Sequence, residues 1–178
     1  MDALDKYFFT SLPNRLFDGF SQIALSTSDV DATVRDYADR LGIGPWWVGN
    51  ITPPGIRETT YYGTPEAITF RAGLAFIGDI NLLVMQPLDG KSIYRDAFDE
   101  GGGLHYVTFT HEGTSFEDMT ATLEARGLSC IMSGKYEKNR WFNFKAGGPE
   151  PVIYEVLDWP ADQGLPEPEY WYPAKPAD

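Results

Sequence analysis

Glu155 is the one acid in Val152-Ile153-Tyr154-Glu155-Val156-Leu157, a largely apolar strand candidate in which Ile153 and Leu157 share its face. A carboxylate among such neighbours loses hydration. Its proton affinity rises, which prepares it as a general base near neutral pH. Two further short runs alternate. Ser21 to Ser26 sets Gln22, Ala24 and Ser26 on one face, and Gly103 to Thr110 sets Tyr106, Thr108 and Thr110 on one face. Two equivalent strands with mixed faces turned the same way predict one shared cavity. Tyr106 would donate a hydrogen bond to a substrate carbonyl or act as the acid, and Gln22 would orient the same oxygen. With Glu155 they suit proton abstraction next to a carbonyl, and hence isomerisation, epimerisation, cyclisation or elimination. A buried polar cluster without chemistry reads equally well from the same three residues. His105 titrates near neutrality and is a further catalytic candidate, although a histidine at a glycine hinge more often satisfies a backbone carbonyl.

The elements that must position these residues occur twice. Ser28-Asp29 caps a helix whose apolar stripe is Val30, Val34, Tyr37, Ala38 and Leu41, and Gly42 ends it. Ser115 with Asp118 starts a second helix with the stripe Phe116, Met119 and Leu123, and Gly127 ends that one. Gln22 and Tyr106 stand 84 residues apart. A period this long is a duplicated βαβββ module rather than a solenoid. The pattern predicts an extension over 1–19, module one over 20–87, a connector over 88–103, module two over 104–158 and a tail over 159–178. In module one, strands are expected near 20–26, 46–48, 56–62, 67–77 and 80–86, with Pro87 as the stop. In module two they are expected near 104–110, 128–132, 140–145 and 152–157. The connector holds a short helical candidate, Ser92 to Phe98. The tail carries five prolines and four aromatics, so it is expected to lie against the body or a partner.

Composition narrows the function classes. A formal charge of −12 disfavours nucleic acid as a partner. A chain that is 43% hydrophobic can bury a core, so disorder is not expected. A single cysteine, Cys130, permits no disulfide framework and no cysteine-rich zinc site. Met1 to Ser11 has neither the basic start nor the apolar core of a secretion signal or membrane span, which points to a soluble, cytoplasmic protein. Gly101 to Gly103 precedes a strand and lacks the lysine of a phosphate loop. Lys135, Lys138, Arg140 and Lys145 form the one basic concentration, readable as a phosphate contact or as a solvated strand edge.

Five words in order resemble the vicinal oxygen chelate superfamily, in its glyoxalase-like or methylmalonyl-CoA epimerase-like branch. They are Gln22-Ile-Ala-Leu with Asp29-Val-Asp, Arg40-Leu-Gly-Ile-Gly-Pro-Trp46, Gly78-Asp-Ile-Asn-Leu-Leu-Val-Met-Gln-Pro87, Gly103-Leu-His-Tyr-Val-Thr-Phe109 and Ile153-Tyr-Glu-Val-Leu157. The resemblance implies an α+β fold in which the two modules form a curved, partly open mixed sheet with helices on its outer face. In metal-dependent members of that family, four side chains close a divalent ion site inside the sheet. Here the matching positions are Gln22, Leu83, Tyr106 and Glu155, of which only Gln22 and Glu155 keep the pattern. His105 is one step out of phase, and a one-residue step turns a strand side chain to the other face.

The expected wall adds Ser26, Thr108, Leu83 and Met85 to the polar trio, with Trp47, Tyr62, Phe70 and Trp141 taken from neighbouring strands where Trp46, Tyr61 and Phe142 are alternatives. A mostly apolar bowl with a few polar groups suits a hydrophobic, ring-containing small molecule. The reading is a metal-independent isomerase or lyase with Glu155 as base and no cofactor. A non-catalytic binding or resistance protein is the first alternative, and a metal-dependent epimerase or glyoxalase-like enzyme is the second. Relatives in the family commonly pair, which implies a homodimer.

Overall fold

The computed structural model describes residues 16–99, 103–111, 113–146 and 152–176, with the side chains of 103–105 outside that set. Module one supplies β1 (Gly19–Ser26), α1 (Val30–Leu41), β2 (Trp46–Ile51), β3 (Ile56–Tyr61), β4 (Thr64–Pro65), β5 (Thr69–Ile77) and β6 (Ile80–Asp89). After α2 (Ile93–Asp99), module two supplies β7 (Gly103–Thr110), α3 (Phe116–Ala125), β8 (Cys130–Tyr136), β9 (Asn139–Lys145) and β10 (Ile153–Asp158), and the tail adds β11 (Tyr170–Tyr172). The strands form one curled mixed sheet in the order β11-β2-β5-β6-β1-β7-β10-β9-β8-β3-β4.

The modules meet where β1 runs antiparallel to β7. Ile23 faces Val107, Gln22 faces Thr108 and Ala24 faces Tyr106. This crossed pairing is what a two-fold repeat with an 84-residue offset requires. Outside the central pair, β6 lies parallel to β1 with Leu83 beside Ala24, and β10 lies parallel to β7 with Glu155 beside Thr108. Leu83 and Glu155 therefore occupy equivalent places in the two halves.

Period-two alternation separates an inner from an outer face. On β6, Leu82 and Val84 join α1 residues Val30 and Val34 in an outer cluster, whereas Leu83 and Met85 belong to the inner one. On β9, Phe142 and Phe144 pack beneath Met119 and Leu123 of α3, while Trp141 turns inward. Gly73 permits the close seat of α1, because a Cβ there would lie 2.6 Å from Val34. Asp29 caps α1 by accepting from Ala32 N at 2.9 Å, and Gly42 closes it at φ +69°. Ser115 Oγ caps α3, accepting from Asp118 N at 3.0 Å.

Two expectations need correction. The strand over 56–62 does not stay with its own module: β3 crosses over and pairs with β8, extending the second half. The edge of β2 that it leaves is taken by β11, through Tyr170 opposite Val48 and Tyr172 opposite Trp46. Pro87 does not stop β6, which runs on to Asp89; the proline sits opposite Phe70, next to a register irregularity, where a missing N–H is tolerated. Of the N-terminal extension, Phe17 stacks on Phe109 with centroids 4.1 Å apart, whereas Tyr7, Phe8 and Leu12 lie outside the described residues.

Candidate functional site

The curl of the sheet encloses a cavity of about 110 Å³, lined from both modules and from the tail. Gln22, Leu83, Tyr106 and Glu155 all stand on its wall. Glu155 is buried and, among the described residues, has no cationic partner in the wall. Its Oε1 accepts from Thr108 Oγ1 at 2.8 Å and from Gln22 Nε2 at 3.4 Å, and its Oε2 accepts from Asn143 Nδ2 at 3.0 Å. Gln22 Nε2 also reaches Tyr106 Oη and Thr108 Oγ1, each at 3.2 Å.

Burial decides the proton affinity of this cluster. It pushes Glu155 up from 4.5 to about 7, outweighing the hydrogen bonds from Thr108 and Asn143, which act in the opposite sense. Burial likewise raises the phenols of Tyr106 and Tyr94 well above their ordinary range, and the Glu155 carboxylate adds to both. Near neutrality the site thus holds two protonated phenols beside a carboxyl that can give or take a proton.

The aromatic wall is Trp47, Phe70, Tyr94 and Trp141, with Leu83, Met85 and Leu157 between them. Phe70 meets Tyr94 edge-on at 5.1 Å, and the Tyr94 and Tyr106 rings are 6.3 Å apart. The tail completes the rim. Trp159 and Leu165 are both lining and exposed, and the Trp47 indole donates to the Pro166 carbonyl at 2.7 Å.

Thr108 is fully buried and touches the cavity through Glu155. Two of the wall candidates are placed elsewhere. Ser26 is buried, but its hydroxyl donates to the Tyr94 carbonyl at 3.4 Å, so it holds α2 instead of facing a ligand. Tyr62 sits at positive φ (47°) in the turn after β3 and is 54% exposed. Its neighbour Tyr61 turns inward, packs on the inner cluster and donates to Asp96 of α2 at 3.0 Å. The His105 side chain lies outside the described residues; its backbone is in β7.

The sequence reading missed Tyr94, Asn143, Asn139 and the tail residues. Asn139, Trp141 and Asn143 alternate along β9, so a strict period-two reading of that strand would have found both asparagines. No local pattern marks Tyr94, which arrives on a short helix from the connector. Three buried polar atoms of this strand, Asn139 Oδ1, Trp141 Nε1 and Asn143 Oδ1, have no hydrogen-bond partner among the described residues.

A duplicated βαβββ sheet, joined through its first strands and open on one side, defines the vicinal oxygen chelate, or glyoxalase-like, fold. Among solved structures, this chain is similar to hypothetical protein BH1468 from Bacillus halodurans C-125, at TM-score 0.61 and 13% identity over 82% of this chain and 97% of that one. It is similar to methylmalonyl-CoA epimerase from Mycobacterium tuberculosis, at TM-score 0.57 and 18% identity over 83% and 91% of the two chains. It is also similar to a variant of the Streptomyces coelicolor methylmalonyl-CoA epimerase in complex with 2-nitronate-propionyl-CoA, at TM-score 0.59 and 17% identity over 84% and 99%. No family model and no curated protein matches the sequence.

The donors at the four facing positions do not fit a divalent ion. They comprise one carboxylate, one amide, one phenol and, at Leu83, a hydrocarbon, whereas such an ion takes several hard oxygen or imidazole ligands. The amide nitrogen of Gln22 is the end turned to Glu155, which spends the carboxylate on a hydrogen bond. Among the described residues, no group of three or more His, Cys, Asp or Glu could hold a metal ion.

Proposed function

We propose that the protein is a metal-independent isomerase or lyase that removes a proton next to the carbonyl of a hydrophobic, ring-containing small molecule, with Glu155 as the base. The observation that carries this reading is a lone buried carboxyl, poised at about 7, on the wall of an aromatic cavity beside two protonated phenols. Glu155 takes the proton from the α-carbon, and the C–H pair becomes the C=C bond of an enolate as the carbonyl π pair moves to oxygen. The Tyr106 O–H and the Gln22 amide stabilise that oxygen. Return of the proton to the other face, or to another carbon, completes an epimerisation or isomerisation and restores the carboxylate. Loss of a β-substituent instead completes an elimination, with the proton leaving to solvent or to the departing group. Methylmalonyl-CoA epimerases on the same fold support chemistry of this type.

Deuterium uptake at the α-carbon tests the reading. Acetophenone, 1-indanone and 1-tetralone are incubated with the protein in D₂O and followed by NMR. Exchange should be catalysed and should fall at least about a hundredfold in Glu155→Gln, the lower end of the range for a general base. Exchange equal in the two proteins would remove Glu155 from the chemistry.

A sequestering role is the second reading, favoured by the fact that both carboxyl oxygens already have protein donors. It expects ligand affinity to survive Glu155→Gln and no exchange in either protein.

A further inference from the structure

We infer that the cavity takes a free, uncharged ring ketone and not an acyl group carried on coenzyme A or another phosphate handle. The carbonyl in this statement rests on the proton-transfer reading above; the exclusion of phosphate rests on charge placement alone. Among the described residues, Glu155 is the only charged side chain on the wall, and the rim is built from Trp159, Leu165 and Pro166.

Three of the four cations around the β8–β9 edge are already paired with carboxylates. Lys135 pairs with Glu58 at 2.6 Å, Lys138 pairs with Asp162, and Arg140 pairs with Glu117 and, at 2.6 Å, with Asp158. On the other half, Arg71 forms a two-pronged pair with Asp31 at 2.9 and 3.0 Å and a further pair with Glu169 at 2.6 Å. Phosphate recognition relies on such cations being available, because charge-assisted bonds from Arg and Lys supply most of its energy. Here each of the four paired cations would have to leave a carboxylate first. The net charge of −12 adds a repulsive field. The similar epimerase structures hold acyl-CoA ligands on the same fold, so the difference lies in this chain's side chains and not in its backbone plan.

The test follows the indole N–H signals of Trp47 and Trp141 by two-dimensional NMR at 0.15 M salt. 1-Indanone and 1-tetralone are titrated in parallel with coenzyme A and acetyl-CoA. The ketones should shift both signals saturably, and neither CoA compound should do so at 1 mM or displace a bound ketone. Tighter engagement of the two indoles by acetyl-CoA than by the ketones would overturn the inference, as would no response to either ketone. Ketones that bind but exchange no α-proton would leave the inference standing and defeat only the proton-transfer reading.

Discussion

At the scale of the residue, Glu155 is where function and stability oppose each other. Its carboxyl holds a proton to about pH 7 in the folded protein and to about 4.5 otherwise. The folded state therefore has a relative advantage below pH 4.5 that is lost as pH rises through 7. Above that, the buried carboxylate costs on the order of 3 kcal/mol. Glu155→Gln removes this dependence, and Asn143 Oδ1, which has no partner among the described residues, can turn to accept from the new amide. Denaturant titrations should find the variant more stable by up to about 3 kcal/mol at pH 8.5 and no different at pH 4. A variant less stable at both pH values would show that the carboxylate is held by something stronger than its present donors. Glu155, Tyr106 and Gln22 were legible because alternation fixes which strand residues share a face. Tyr62 was misplaced because a turn at positive φ reset the phase after β3, and phase is what the argument uses.

At the scale of the element, the tail is a strap across the rim. It is held by β11 pairing with β2, by the Trp47 bond to Pro166, and by Arg71 and Tyr170 converging on Asp31. Trp47→Phe deletes the indole donor and should cost about 1 kcal/mol. Hydrogen exchange should show the loss as faster opening of the Glu169 amide, which bonds to the Val48 carbonyl, with the β1–β7 centre unaffected. Uniformly faster exchange would mean that the strap is no separate unit. Helix caps and glycine stops were read correctly because their chemistry is local. The crossing of β3 to β8 was not, since nothing in Ile56 to Tyr61 distinguishes one sheet edge from another.

At the scale of the molecule, the two modules share one sheet and one cavity, so neither buries its inner face alone. Gly73→Ala and Gly134→Ala crowd opposite halves, the first against Val34 and the second against Trp141. Each should lower one and the same unfolding midpoint by several degrees, as a loss of 1–3 kcal/mol does in a domain of this size. Two resolved calorimetric transitions, one per variant, would contradict a single cooperative unit. Exhaustive chelation should change neither the midpoint nor the catalysed exchange of ketone α-protons; a drop in both on chelation, restored by a divalent ion, would contradict the donor-set argument. Among the described residues, no helix is long and apolar enough to cross a membrane. The duplicated frame was legible across 84 residues because both copies keep their caps, stops and strand phase.

The most direct test is the titration of Glu155 itself, by NMR of protein labelled with ¹³C at the glutamate carboxyls and assigned with Glu155→Gln. A midpoint near 7 is the expected result. A midpoint at or below 4.5 would show a hydrated or ion-paired carboxylate and would contradict its role as the base.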